Sequence, residues 1–185
     1  MLFALALGTV LAALMATMVI AQREAEAAFT EKVVFESNRT TGPGVNNPTG
    51  DFEIFRMNPD GTGVRQLTAN KVNDFGPSLS PDKTKVAYHT YNKQTSNPEG
   101  DSEIYRLNAS DGLGKKNLTN NGTGVEDNIP QYSPDGNTIA YESKGLQNSN
   151  REGDSEIYRL SSLDGSAKKN LTNNGADVFD GVYPD

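Results

Sequence analysis

Three pairs of carboxylates recur along this sequence: Asp51/Glu53, Asp101/Glu103 and Asp154/Glu156. On an extended segment the i, i+2 spacing puts both members of a pair on one strand face. Two carboxylates side by side are the groups with which glycosidases do acid–base work. A catalytic pair is made once, however, and these are made in every copy of a repeat, so a structural role is expected. His89 is the one histidine, and its repeat counterparts are Glu36 and Glu142. No G-x-S-x-G elbow accompanies it, so no catalytic residue is assigned and no enzymatic activity is expected. With no cysteine, disulfides, thiolate zinc sites and cysteine nucleophiles are excluded. A single histidine excludes multi-histidine metal centres. The net charge of −7, without a basic block, argues against nucleic acid and anionic membrane surfaces as partners. No cofactor is expected.

The loops before the carboxylate pairs are the more suggestive feature. They run Val45 to Asp51, Thr95 to Asp101 and Ser149 to Asp154. Asn47, Asp51, Asn97, Glu99, Asp101, Asn150, Glu152 and Asp154 are the candidate binding residues, because repeated loops gathered on one rim commonly meet a partner. Their oxygen-rich side chains would allow a weak Ca²⁺ site. The competing expectation, and the stronger one, is that Asn-Pro-x-Gly-Asp builds a turn whose side chains bond the local backbone, so no metal ligand is assigned.

The elements that must position these residues are repeats. Gly100 to Leu107 and Gly153 to Leu160 both read GDSEIYRL, and Lys115 to Gly122 and Lys168 to Gly175 both read KKNLTNNG. Each match is offset by 53 residues. A more diverged copy has GDFEIFRM from Gly50 and RQLTAN from Arg65. Each unit holds four short β-branched or aromatic runs of strand length. In the clearest unit these are Pro130 to Ser133, Thr138 to Ser143, Ser155 to Leu160 and Lys168 to Thr172. Ser133-Pro134-Asp135-Gly136 makes a tight turn between the first two, with Pro fixing one φ and Gly accepting the left-handed one. Lys83 takes that glycine's place in the preceding copy, at an expected strain of about 1 kcal/mol if left-handed. The Lys115-Lys116 and Lys168-Lys169 doublets are expected at solvated strand ends. An Asn-Leu-Thr sequon, as at Asn117, belongs to the repeat and is read as structural.

One four-stranded meander cannot bury both of its faces, whereas stacked copies can. The expected fold is therefore all-β, a β-propeller of four-stranded antiparallel blades. The unit resembles the WD-like propeller repeat of the TolB family. The matching residues are Asp101-Ser102-Glu103-Ile104-Tyr105, Leu107-Asn108, Asp111-Gly112, Leu118-Thr119, Pro130, Ser133-Pro134-Asp135-Gly136 and Ile139-Ala140-Tyr141. The resemblance covers about residues 32 to 185 and implies the propeller part of that family. An insertion between the second and third strands lengthens the unit.

The predicted units run approximately over 32–75, 76–128 and 129–180, followed by a terminal strand at Val182 to Asp185. Three strands, two complete units and that strand amount to about three blade equivalents. Propellers usually have about four to eight blades, and two three-blade arcs in a two-fold ring would supply six, the number implied by the TolB resemblance. A homodimer is thus one expectation and a truncated reading frame the other. Residues 2 to 21 carry no charge and are followed by small-residue cleavage sites, so residues 1–28 read as an export signal and short spacer. An uncleaved membrane anchor is the rival reading. The expected protein is exported, periplasmic or envelope-associated, non-catalytic, and engaged with a protein or other ligand. The alternatives are a propeller associated with a serine peptidase or hydrolase, and a Ca²⁺- or carbohydrate-binding module.

Overall fold

The computed structural model describes residues 31–91, 96–176 and 178–182. The predicted leader over 1–28 and the terminal strand beyond Val182 lie outside the described residues. Among the described residues eleven strands follow one another in three antiparallel meanders. The first sheet holds β1 (Val33–Ser37), β2 (Glu53–Met57) and β3 (Arg65–Gln66). The second holds β4 (Asp74–Leu79), β5 (Lys85–Thr90), β6 (Glu103–Asn108) and β7 (Lys116–Asn117). The third holds β8 (Glu126–Tyr132), β9 (Thr138–Lys144), β10 (Ser155–Ser161) and β11 (Lys169–Asn170). Within each sheet the strands lie in chain order, so each is a propeller blade. The expected strand at Lys168 to Thr172 is only two residues long, while β8 starts four residues before the expected Pro130.

The middle blade is buried on both faces because alternate residues of its strands serve different neighbours. Val86 and Tyr88 of β5 join Tyr105 and Leu107 of β6 against Ile54 and Leu67 of the first blade. Ala87 lies between them in sequence and joins Ile104 and Leu118 against Ile139, Tyr141, Tyr158 and Leu160 of the third blade. Tyr88 and Tyr105 form a tilted ring pair 6.0 Å apart, and Tyr141 and Tyr158 repeat it at 5.9 Å. The two joints between blades are thus copies of each other.

The turns follow their residues. Lys83 donates its N–H to Ser80 O at 2.8 Å, and Gly136 does the same to Ser133 O at 2.8 Å. Lys83 is left-handed with φ 60°, beside 73° for Gly136, so the lysine carries the strain expected of it.

β4 and β8 each break register with their partners, between Phe75 and Ser78 and between Asn128 and Gln131. Gly76 and Ile129 occupy the bulges with φ 58° and 51°. A β-branched residue in that region is strained, and its exposed N–H needs an acceptor.

Candidate functional site

The rim loops are built around their asparagines. Asn47, Asn97 and Asn150 are 2%, 0% and 1% exposed. Their side-chain amides donate to Asp51 O, Asp101 O and Asp154 O at 2.7, 2.6 and 2.7 Å. Their Oδ1 atoms accept the N–H of Gly50, Gly100 and Gly153 at 3.1, 3.0 and 2.9 Å. The three asparagines therefore face inward and close the turn. Glu99 and Glu152 are exposed at the loop tips, Asp51 and Asp101 are half-buried, and Asp154 is buried. Thr49 donates its hydroxyl to Asp51 Oδ1. Among the described residues no group of three or more His, Asp or Glu side chains is placed to hold a metal ion.

The second carboxylate of each pair bonds the segment that leads out of its blade. Glu53, Glu103 and Glu156 are essentially inaccessible. Each accepts a backbone N–H on Oε1, from Asn70 at 2.6 Å, Asn121 at 2.7 Å and Asn174 at 3.0 Å. Thr119 and Thr172 donate their hydroxyls to Glu103 Oε2 and Glu156 Oε2. The same hydroxyl oxygens accept the N–H of Ile104 and of Ile157, both at 3.0 Å. The asparagine side chains then reach forward, Asn70 to Asp74 Oδ2 at 2.8 Å, Asn121 to Asp127 Oδ2, and Asn174 to Asp180 Oδ2 at 2.5 Å. Asp74, Asp127 and Asp180 open the next unit and donate their own N–H back to Phe52 O, Ser102 O and Ser155 O at 2.7, 2.9 and 3.0 Å. Glu, Asn and Asp thus form a clasp between successive units, made three times. Burial pushes Glu53 and Glu103 up to about 7, and moves Asp74 and Asp127 upward too. The Asp members escaped the sequence reading, although their 53-residue period was visible in it.

His89 is an acceptor. Its Nδ1 takes the N–H of Ile129 at 3.3 Å, which caps the strained bulge of the next blade. Glu36 does the same for Gly76 N–H at 2.7 Å. Burial lowers His89 to about 4 and so keeps the ring neutral for this task. In each lysine doublet the second residue is exposed on the outer strand. The first folds its ammonium over a tyrosine pair. Lys115 Nζ lies 4.7 Å from the Tyr105 ring and Lys168 Nζ 5.3 Å from the Tyr158 ring, within cation–π range. Lys168 Nζ also stands 4.0 Å from Asp127 Oδ2.

Among the described residues the outer faces of the first and third blades lack the cover that the joints have. Leu118 and Val125 are 4% and 5% exposed, while their counterparts Leu171 and Val178 are 46% and 44% exposed. Ile104 is fully buried, and its counterpart Ile157 is only partly so. On the first blade Val33 is 38% exposed where the equivalent Val86 is fully buried.

No family model matches the chain. A TolB homolog from Chlorobaculum tepidum is 28% identical over 147 residues, which are 80% of this chain and 28% of that protein. The chain therefore spans less than a third of that relative's length. A TolB structure from Agrobacterium tumefaciens superposes with a TM-score of 0.50 and 20% identity over 65% of this chain and 41% of that one. Oligogalacturonate lyase from Vibrio parahaemolyticus superposes with a TM-score of 0.50 and 12% identity, over 75% of this chain and 35% of the lyase. At these identities the solved structures speak for the fold alone. The repeat residues, the three stacked meanders and these likenesses agree: the described chain is a TolB-like run of three β-propeller blades.

Proposed function

We propose that this chain is an exported, non-catalytic β-propeller that works as an interaction module. The observation that carries the reading is how its reactive side chains are used. Glu53, Glu103 and Glu156 are bonded into clasps between units, and His89 caps a backbone N–H. A carboxylate enclosed by its own fold has no access to a substrate. The rim loops are held rigidly from within by Asn47, Asn97 and Asn150, which leaves Glu99 and Glu152 as presented, adjustable contacts. Rigid presentation lowers the ordering cost of binding. The uncharged stretch over residues 2–21 supports export to the envelope or beyond, either cleaved or kept as an anchor.

The open faces of the end blades favour another blade of the same kind as cover, and a second copy of this chain would supply it. The purified chain, immobilised and exposed to envelope extract, should retain a defined protein partner. Glu99→Lys combined with Glu152→Lys should abolish that retention without altering the circular dichroism. Retention indifferent to both charges would remove the rim from the proposal. Turnover of peptides or acidic glycans by the purified chain would replace it with an enzymatic reading.

A further inference from the structure

A crevice of about 430 Å³ opens where the first and second blades meet, at the end of the strands opposite the asparagine loops. Among the described residues its charged lining is Lys32, Arg56, Lys83 and Lys85, with the Glu31 carboxylate paired to Lys83 beside it. The equivalent crevice between the second and third blades measures about 370 Å³ and is lined by Lys85 and Arg106 together with Asp82 and Asp135. The first crevice thus gathers four cations in a chain of net charge −7, and the second balances its charges. In a repeat protein, two equivalent places that differ in charge have been shaped by something other than the repeat.

Part of this lining has structural work. Lys32 Nζ donates to Asn58 Oδ1 at 2.6 Å, and Lys85 Nζ donates to Asn108 Oδ1 at 2.5 Å. Arg56 Nη2 donates to Ser110 O across the joint at 3.1 Å, as Arg106 Nη1 does to Ser162 O at 2.6 Å. An ammonium has three donors and a guanidinium five, so these bonds leave capacity over. Arg56 Nε and its counterpart Arg106 Nε are both buried with no acceptor among the described residues.

Lys83 is the departure from the repeat. It holds the left-handed turn position at φ 60° that the next unit gives to Gly136. Ala167 likewise stands at φ 55° where the preceding unit has Gly114, so what singles out Lys83 is its charge at the crevice and not the strain. Its ammonium pairs with Glu31, whose side chain is 61% exposed. The other nearby acids bond within their own turns and keep their charge, Asp60 acting on Lys32, Asp82 on Lys85 and Asp111 on Arg56. Asp60, Asp82 and Asp111 accept the N–H of Thr62, Thr84 and Leu113 at 2.9, 3.0 and 2.9 Å.

We propose that this crevice binds a small multivalent anion through phosphate or carboxylate oxygens, with Lys83 displacing Glu31 to reach it and Lys32, Arg56 and Lys85 completing the cradle. The site is independent of the rim loops and goes beyond the interaction role. Calorimetry on the full chain at physiological ionic strength, with pyrophosphate and with citrate, tests it. Saturable one-to-one binding of either anion is expected, and the tighter of the two tells phosphate from carboxylate. Lys83→Gly installs the residue of the next unit, keeps the fold, and should weaken binding about tenfold through loss of one charge-assisted contact. Lys116→Ala removes an equal charge from the exposed β7 and should change affinity less than about twofold after screening. Absence of heat for both anions would overturn the proposal. So would equal weakening by the two substitutions, since that is the mark of diffuse attraction rather than a site.

Discussion

Glu103 in the second blade and Asp127 at the start of the third are joined through Asn121, whose backbone N–H bonds one and whose side-chain amide bonds the other. The joint between blades is thus polar at its rim-loop end and apolar at its centre. Asn121→Ala deprives the buried Asp127 of one donor, and an orphaned buried acceptor costs about 1–3 kcal/mol. Urea unfolding should show that loss, whereas Asn148→Ala at an exposed loop position should stay within about 0.5 kcal/mol of the parent.

The buried carboxyls make stability depend on pH with an unusual sign. Burial holds Glu53 and Glu103 at about 7 in the folded chain, against 4.5 for the free side chain. Between those values the folded state keeps protons that the unfolded chain has released, so stability falls as pH rises through the window. Asp74 and Asp127 are displaced the same way and add to the fall. His89 opposes it. Its shift from 6.5 to about 4 leaves the unfolded chain with the extra proton, so its contribution grows with pH. Urea midpoints should therefore decline gently from about pH 5 to 7. His89→Gln keeps an acceptor for Ile129 N–H while removing the opposing titration, and its decline should be steeper. A midpoint that climbs over this range in the variant would contradict the assignment of the glutamates.

The sequence made the blades legible because a strand period of two and a unit period of 53 residues are both local patterns. It also showed the left-handed turn at Lys83, because the next copy has glycine there. The clasps were less legible. Glu103 and Asp127 lie in different sheets and meet through a loop residue, and no strand pattern encodes such a pairing. Lys115 and Lys168 read as solvated from their position beside a strand end and are exposed, but the sequence did not show that their ammonium groups lie over tyrosine rings supplied by other strands. The rim loops were legible as turns. That their asparagines point inward follows from which atoms close the turn, a matter of geometry rather than composition.

Asn150→Ala tests that geometry. It removes the donor to Asp154 O at 2.7 Å and the acceptor of Gly153 N–H at 2.9 Å. With the turn untied, Ser149 loses its place beside the Tyr158 hydroxyl, now 3.0 Å away. Two lost backbone bonds predict about 1–3 kcal/mol of destabilisation, with proteolytic cutting newly confined to residues 146–153. Unchanged resistance to protease would mean that the loop holds its shape without the asparagine.

Gly112 and Gly165 show how closely one blade seats on another, and Gly61 extends the comparison to the open face. A Cβ on Gly112 would lie 2.1 Å from Leu67 O, and one on Gly165 would lie 2.0 Å from Leu118 O. Gly61 has the same place in the first blade, with φ 82° and nothing within 4 Å. Gly112→Ala should destabilise by about 2–5 kcal/mol, combining left-handed strain with overpacking. Gly61→Ala should cost the isolated chain only the strain, about 1–2 kcal/mol. If the third blade of a second copy covers this face as the joints are covered, Gly61 would stand against the partner's Leu171 carbonyl, where an added methyl has no room. Sedimentation velocity at micromolar concentration should then give the parent twice the 19.9 kDa chain mass, and Gly61→Ala a single chain with unchanged circular dichroism. A parent that sediments as one chain would rule out the paired ring.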